Sequence, residues 1–179
     1  MSSNLKYKKI IEILKHDGIG VMPTDTIYGL VGSAFSKEAV RRIYKIKKRN
    51  KKKKSIVLIS SLKDLEKFKI KINKEQAKIL EKFWPGKVSI IVSDTAFRLP
   101  AKKSLIKILK QAGPLVAPSA NPEGLEPAKN MVQARGYFGD KVDFYLPGGT
   151  LKGESSILIK INKKGEIEVL RGIIKKYGK

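Results

Sequence analysis

Short apolar periods along this chain predict helices and strands in turn. Leu5, Ile10, Ile11, Ile13 and Leu14 form an approximate helical stripe among lysines over 5–16, and Gly18 ends it. Gly18 to Met22 reads as a short buried strand leading to Pro23. Thr24-Asp25-Thr26 begins a hydroxyl-rich turn that passes into a second apolar stretch ending at Leu30. Ser36 is placed to cap a helix over about 37–47, with Ala39, Val40, Ile43 and Ile46 inward. An apolar strand is expected over 55–60, then helical stretches over 62–67 (with Ser61 as cap) and 74–83. Trp84-Pro85-Gly86 breaks the pattern. Further on, the spacing predicts a strand over 88–92, an extended piece over 97–100 and a helix over 103–112. A strand at 115–117, a helix over 129–136 and a strand over 142–146 follow. Ser155–Ile161 and Glu166–Leu170 read as a strand pair. Helices and strands alternate early and strands dominate late. This predicts an α/β fold, a mixed sheet with helices on its faces.

With 179 residues, no repeat and no linker long enough to divide it, the chain is expected to form one domain over 1–179, with a frayed end at 175–179. No apolar run reaches the roughly 18 residues of a membrane span. The N-terminal MSSNLKYKKIIEILK lacks the continuous apolar core of a secretory signal. There is no cysteine, so disulfide and thiolate chemistry are excluded and a cytoplasmic location is expected. The lone histidine, His16, falls on the lysine-rich first helix, which leaves no material for a zinc site or a Ser-His-Asp triad.

Charge changes the picture more. Lysine and arginine number 39 against 16 aspartate and glutamate, a net charge of +23 that points to anionic partners such as nucleotides or RNA. General lysine excess accounts for part of this, but only six of the cations are arginine, so each arginine is informative. Eight of the ten residues from Lys45 to Lys54 are cationic, and the run switches abruptly to Ser55-Ile56-Val57-Leu58-Ile59. A cationic loop tied to a buried strand holds fixed positive charge at the mouth of a sheet, where a polyphosphate can be gripped.

The polar groups that interrupt apolar strands are the candidates for chemistry. They are Thr24-Asp25-Thr26, Lys47-Lys48-Arg49, Arg98, Ser119-Ala120-Asn121, Ser155-Ser156 and Arg171. Strand ends are where α/β sheets collect ligands. Each also has a plainer use: turn caps for the threonines and Asp25, an Asx-turn for Ser119–Asn121, ordinary strand residues for the serines, solvated charge for Lys51 and Lys52. There is no glycine-rich phosphate loop, so a nucleotide would be held mainly by side-chain cations.

Taken in order, these pieces resemble the YrdC-like family of threonylcarbamoyl-AMP synthases. GIGVMPTDTIYGL is similar to that family's opening, and Lys47-x-Arg49 stands in the loop before SIVLI. Phe83-Trp84-Pro85-Gly86, Arg98-x-Pro100, Ala117-Pro118-Ser119-Ala120-Asn121, Ser155-Ser156-Ile157 and Leu170-Arg171 follow, so the likeness spans roughly 18–172. The resemblance implies a twisted mixed sheet with a concave basic surface. It implies an enzyme that makes an adenylate from L-threonine, bicarbonate and ATP (with Mg²⁺), releasing pyrophosphate. The product would pass to a threonylcarbamoyl transferase acting on tRNA, and direct tRNA contact would fit the charge. Carried over by position, Lys47 and Arg49 are catalytic and, with Lys53, Asn121 and Arg171, contact ATP. Thr24, Arg98, Ser119 and Ser155 form the threonine pocket, with Arg98 on the carboxylate, and no metal is held by protein ligands alone.

The chain departs from the family pattern at several points. Asn50 stands where proline commonly follows the arginine, and Glu123 brings negative charge near the nucleotide. The loop before Arg98 is short, and Lys160 replaces a common aspartate. The chain reads as the short, single-domain form. A non-catalytic RNA-binding module on the same basic surface is the alternative. Aromatics make up only 7% of residues and no aromatic-interleaved RNA motif is present, which counts against base stacking. A carbamoyl-transfer domain from a larger protein is a third reading, disfavoured by length.

Overall fold

The computed structural model of the chain describes residues 3–50 and 53–174. Lys51, Lys52 and the 175–179 end, expected above to be solvated and frayed, lie outside the described residues. The elements run α1 (Ser3–Lys15), β1 (Ile19–Pro23), β2 (Tyr28–Ser33), α2 (Lys37–Lys47), β3 (Val57–Leu58), α3 (Lys74–Phe83), β4 (Val88–Val92), β5 (Thr95–Arg98), α4 (Lys103–Ala112), β6 (Leu115–Val116), α5 (Met131–Phe138), β7 (Phe144–Tyr145), β8 (Ile157–Ile161) and β9 (Ile167–Arg171). Short 3-10 helices cover Leu62–Phe68 and Gly139–Lys141. The strands form one sheet in the order β7-β1-β2-β6-β3-β5-β4-β8-β9. The sheet is mixed: β1–β7, β3–β5 and β4–β8 are parallel, the other pairs antiparallel.

Helices α2, α3 and α4 fall where the apolar spacing places them, and local chemistry fixes two of their starts. Ser36 Oγ accepts the Ala39 N–H at 3.0 Å. Asn73 and Gln76 form a reciprocal capping box at α3. Lys48 closes α2 in the left-handed region at φ 51°, its N–H bonded to Lys45 O while Arg49 N–H bonds Tyr44 O. That turn sends the chain into the cationic loop.

Three elements differ from the sequence pattern. The strand expected over 55–60 shortens to Val57–Leu58, because β3 is flanked by equally short pairings to β5 and β6. The stretch expected as helix over 62–67 is a 3-10 helix, and Ser61 makes no side-chain cap. Asp64 instead accepts the Ser60 N–H and hydroxyl, each at 2.8 Å. The strand expected over 142–146 pairs only at Phe144–Tyr145.

Alternating side chains divide between two faces of the sheet. Ile19, Val21, Leu30, Val57, Ile90, Phe97, Ile157 and Ile159 point into a core with Ile43 of α2, Leu80 and Phe83 of α3 and Phe138 of α5. Met22, Val31, Leu58 and Leu115 point the other way, against Ile10, Ile11 and Leu14 of α1 and Leu105, Ile108 and Leu109 of α4. Each such fully buried aliphatic side chain contributes about 1.5–3 kcal/mol. The second face is covered only over β7-β1-β2-β6-β3; no helix of its core reaches β5, β4, β8 or β9 among the described residues. No helix of the described residues is long and apolar enough to cross a membrane.

Candidate functional site

The uncovered part of the second face is the floor of a cavity of about 550 Å³, within the range of small-molecule sites. Ala96, Ile91 and Leu158 pave it; Thr24, Ser119, Arg98, Arg49, Ser155 and Arg171 edge it. Every one of these stands at a strand end or in an adjoining loop, where the backbone ladder stops and polar groups can turn inward. Six of the nine residues singled out from the sequence therefore meet in one space.

At one end lies the β1–β2 turn. The Thr24 hydroxyl donates to Ile27 O at 2.7 Å and accepts the Thr26 N–H at 3.2 Å, and Thr24 N–H also bonds Ile27 O. With the Thr24 hydrogen committed, the 3.0 Å hydroxyl contact runs from Thr26 to Thr24. Arg98 reaches up from the end of β5, only 4% exposed. Its Nη2 lies 2.9 Å from Asp25 Oδ1 and 3.4 Å from Thr24 Oγ1. Burial pushes the guanidinium pKa down, the Asp25 charge opposes that, and Arg171 adds to the lowering. Asp25 thus does not cap the turn; it is the counter-ion of Arg98. Its acidic partner role is invisible in sequence, because 73 positions separate the two along the chain and only the fold joins them.

At the other end stand Arg49 and Arg171. Arg49 Nε and Nη2 donate to Lys53 O at 2.9 Å and Lys54 O at 3.1 Å, and the guanidinium lies 6.0 Å from the Tyr44 ring centroid. Arg171 grips the loop before β8: its Nε and Nη2 donate to Ser156 O at 3.1 and 2.9 Å. Ser156 Oγ in turn pairs with buried Ser89 Oγ at 2.8 Å. Burial and the charge of Arg49 lower the Arg171 pKa. The charge of Arg171 disfavours that of Arg98 and the charge of Arg49 disfavours that of Arg171, so the three arginines form a field that an anion would relieve. Lys54 and Lys160 add to it, and Asp94 and Glu168 line the outer rim.

Lys47, Lys53 and Asn121 do not line the cavity. Lys47 is 2% exposed, and its ammonium donates to Ser119 O at 2.6 Å, Asn121 O at 2.5 Å and Asn121 Oδ1 at 3.3 Å. Burial and the charge of Arg49 lower its pKa to about 8, with Glu123 opposing. Asn121 Nδ2 donates to Leu125 O at 2.6 Å and Pro122 O at 3.0 Å, closing its own loop. Lys53 is exposed and paired with Glu123. These three residues build the two loops that hold Ser119 and Arg49, rather than surfacing in the cavity. No cluster of three metal-ligating side chains occurs among the described residues.

Solved structures share this fold. A doubly substituted variant of Sua5 from Pyrococcus abyssi superposes with a TM-score of 0.86 at 25% identity, covering 94% of this chain and 54% of that one. A second structure of that Sua5, complexed with L-threonine, superposes equally at 24% identity, covering 96% and 55%. This chain spans about half the length of that protein. The Sua5/YciO/YrdC family model, described as "Telomere recombination", matches residues 12–172, and the chain belongs to this family. A relative in Hahella chejuensis, named threonylcarbamoyl-AMP synthase, is 29% identical over 156 residues, covering 79% of this chain and 85% of its own.

Proposed function

We propose that this chain is a threonylcarbamoyl-AMP synthase, a nucleotidyltransferase that uses L-threonine, bicarbonate and ATP and releases pyrophosphate. The observation that carries the reading is the convergence of hydroxyls and arginines, without histidine or cysteine, on a single cavity. The name borne by relatives such as the H. chejuensis protein supports it. RNA binding alone would need the cations but not the buried hydroxyl set, so the enzyme is preferred to a binding module.

The threonine amine adds to bicarbonate with loss of water to give a carbamate. A carbamate oxygen then attacks the α-phosphorus of ATP, and the bond from that phosphorus to the bridging oxygen breaks as pyrophosphate leaves. Anion meets anion in this step, and the barrier falls when fixed positive charge is already in place. Arg49 and Arg171 receive the phosphates, while Lys47, Lys53 and Asn121 serve the nucleotide side through the loops they build. Thr24, Arg98, Ser119 and Ser155 enclose threonine, with Arg98 on its carboxylate. Since the described residues offer no carboxylate cluster, Mg²⁺ enters as part of the substrate, bound to the triphosphate. The product is destined for a partner transferase acting on tRNA in the cytoplasm, and the charge of +23 suits transient contact with RNA.

The test is pyrophosphate release by the full chain with MgATP, bicarbonate and a panel of amino acids. Release that requires both threonine and bicarbonate is the expected result. Release indifferent to threonine, or no release together with tight RNA binding, overturns the proposal.

A further inference from the structure

The Asp25 side chain is 6% exposed, and neither of its oxygens accepts a hydrogen bond from the turn around it. An acid in a turn ordinarily serves a nearby backbone N–H. This turn is closed without it, by Thr24 N–H and hydroxyl to Ile27 O and by Thr26 N–H to Thr24 Oγ1. What Asp25 touches is Arg98, at 2.9 Å from Nη2. Arg98 commits Nη2 to Asp25 and Thr24, while Nε and Nη1 bond no described residue. A carboxylate that meets guanidinium in a fork consumes two donors. Here the pair is close but not forked, so Asp25 supplies charge and leaves donors unspent.

We propose that Asp25 is the positioning residue of the amino-acid site: it holds the buried Arg98 guanidinium charged and fixed, with Nη1 left free for the α-carboxylate of the substrate. The inference rests on the assignment of Arg98 to the threonine carboxylate. Its physical basis is that a guanidinium at 4% exposure, with Arg171 nearby, needs a counter-charge in the empty site. A second acid forked onto Arg98 would give that charge but block the ligand. Asp25 acts through Arg98 and does not line the cavity itself.

Two measurements test this. In the full chain, Asp25→Asn keeps the shape and removes the charge. KM for threonine should rise by about tenfold or more, as for a misplaced charge-assisted contact, with KM for ATP unchanged and little further effect of Asp25→Asn in an Arg98→Ala background. An unchanged KM for threonine, or equal rises in both constants, overturns the proposal; the second outcome marks a merely structural role. Independently of turnover, the Arg98 Nε–H resonance, identified by its loss in Arg98→Lys, should exchange slowly with water in the wild-type chain and rapidly in Asp25→Asn. Six arginines make that assignment practicable. Equal protection in both proteins overturns the proposal. If the wild-type chain shows no threonine-dependent release, the synthase reading fails, and the exchange measurement still decides whether Asp25 fixes Arg98.

Discussion

The Glu123 carboxylate staples the cationic loop: Oε2 accepts the Asn50 backbone N–H at 2.8 Å and Oε1 accepts the Lys53 ammonium at 2.5 Å. Its own N–H bonds Lys47 O at 2.7 Å, so one residue ties the loop at three points. Two departures from the family pattern, Asn50 and Glu123, are therefore one device. A proline at 50 would have no N–H to give. Asn50→Pro and Glu123→Ala should each raise KM for ATP and leave KM for threonine alone, and their effects should be less than additive in the double variant. Strict additivity would show that the two residues act separately. The Lys53 ammonium and the Asn50 N–H hold the Glu123 carboxyl below its ordinary 4.5. Its contribution to stability is thus present above that value and lost as pH falls through the lower folded one. Thermal melts of wild type and Glu123→Gln at falling pH should converge, and should also converge at high salt.

Arg49 is, with Lys54, a cation of the loop that lines the cavity, and its guanidinium is held there by Lys53 O and Lys54 O. Arg49→Ala should abolish threonine-dependent pyrophosphate release. Arg49→Lys cannot reproduce the two-point grip or the guanidinium packing on Tyr44, and should lower kcat/KM by about 100-fold, the scale for removing one preorganised donor. Near-normal release by either variant would remove Arg49 from the phosphate site.

Lys47 carries a different burden. Lys47→Met leaves Asn121 O and Asn121 Oδ1 without their donor and takes one of two donors from Ser119 O, and should cost about 2–4 kcal/mol, measured by denaturant unfolding. The pH dependence has a definite sign. The folded pKa is about 8 against an ordinary 10.5, so between those values the unfolded chain binds the extra proton. Stability of wild type relative to Lys47→Met should rise across that window, as the cost of burying the charge is relieved. A difference that is flat or falls from pH 8 to 10.5 would mean the three carbonyl oxygens hold the proton on Lys47 against burial.

The parts of the fold set by local chemistry were legible in the sequence. Ser36 caps the helix it precedes, and the apolar spacing locates α3 and α4. The length of β3 was not legible, because Val57–Leu58 ends where its neighbours end, and neighbours are a property of the sheet. The candidate site divides in the same way. Arg98, Arg49 and Ser119 could be picked out as polar interruptions of apolar runs. Asp25 reads as a turn residue because its partner is remote in sequence, and Lys47 reads as a cation facing phosphate because nothing local shows that the Ser119–Asn121 loop folds over it. Glu123 drew notice as a charge in the wrong place; only the geometry makes it a staple.

Gly153 sets how closely the serine loop approaches the threonine turn. A Cβ there would stand 2.2 Å from Thr26 O and 3.1 Å from Thr26 C, both backbone atoms, so the chain must move. Gly153→Ala should cost about 1–3 kcal/mol, as overpacking does, and should displace Ser155 and Ser156 from the turn that carries Thr24. Since Ser156 anchors Arg171, KM should rise for threonine and for ATP together. Gly136 is the control. It lies inside α5, and a Cβ there meets nothing within 4 Å. Gly136→Ala should stabilise by about 0.5–1 kcal/mol through helix propensity alone, with both KM values unchanged. If Gly153→Ala melts like wild type and keeps its KM values, the close approach of the two loops is not required for the site.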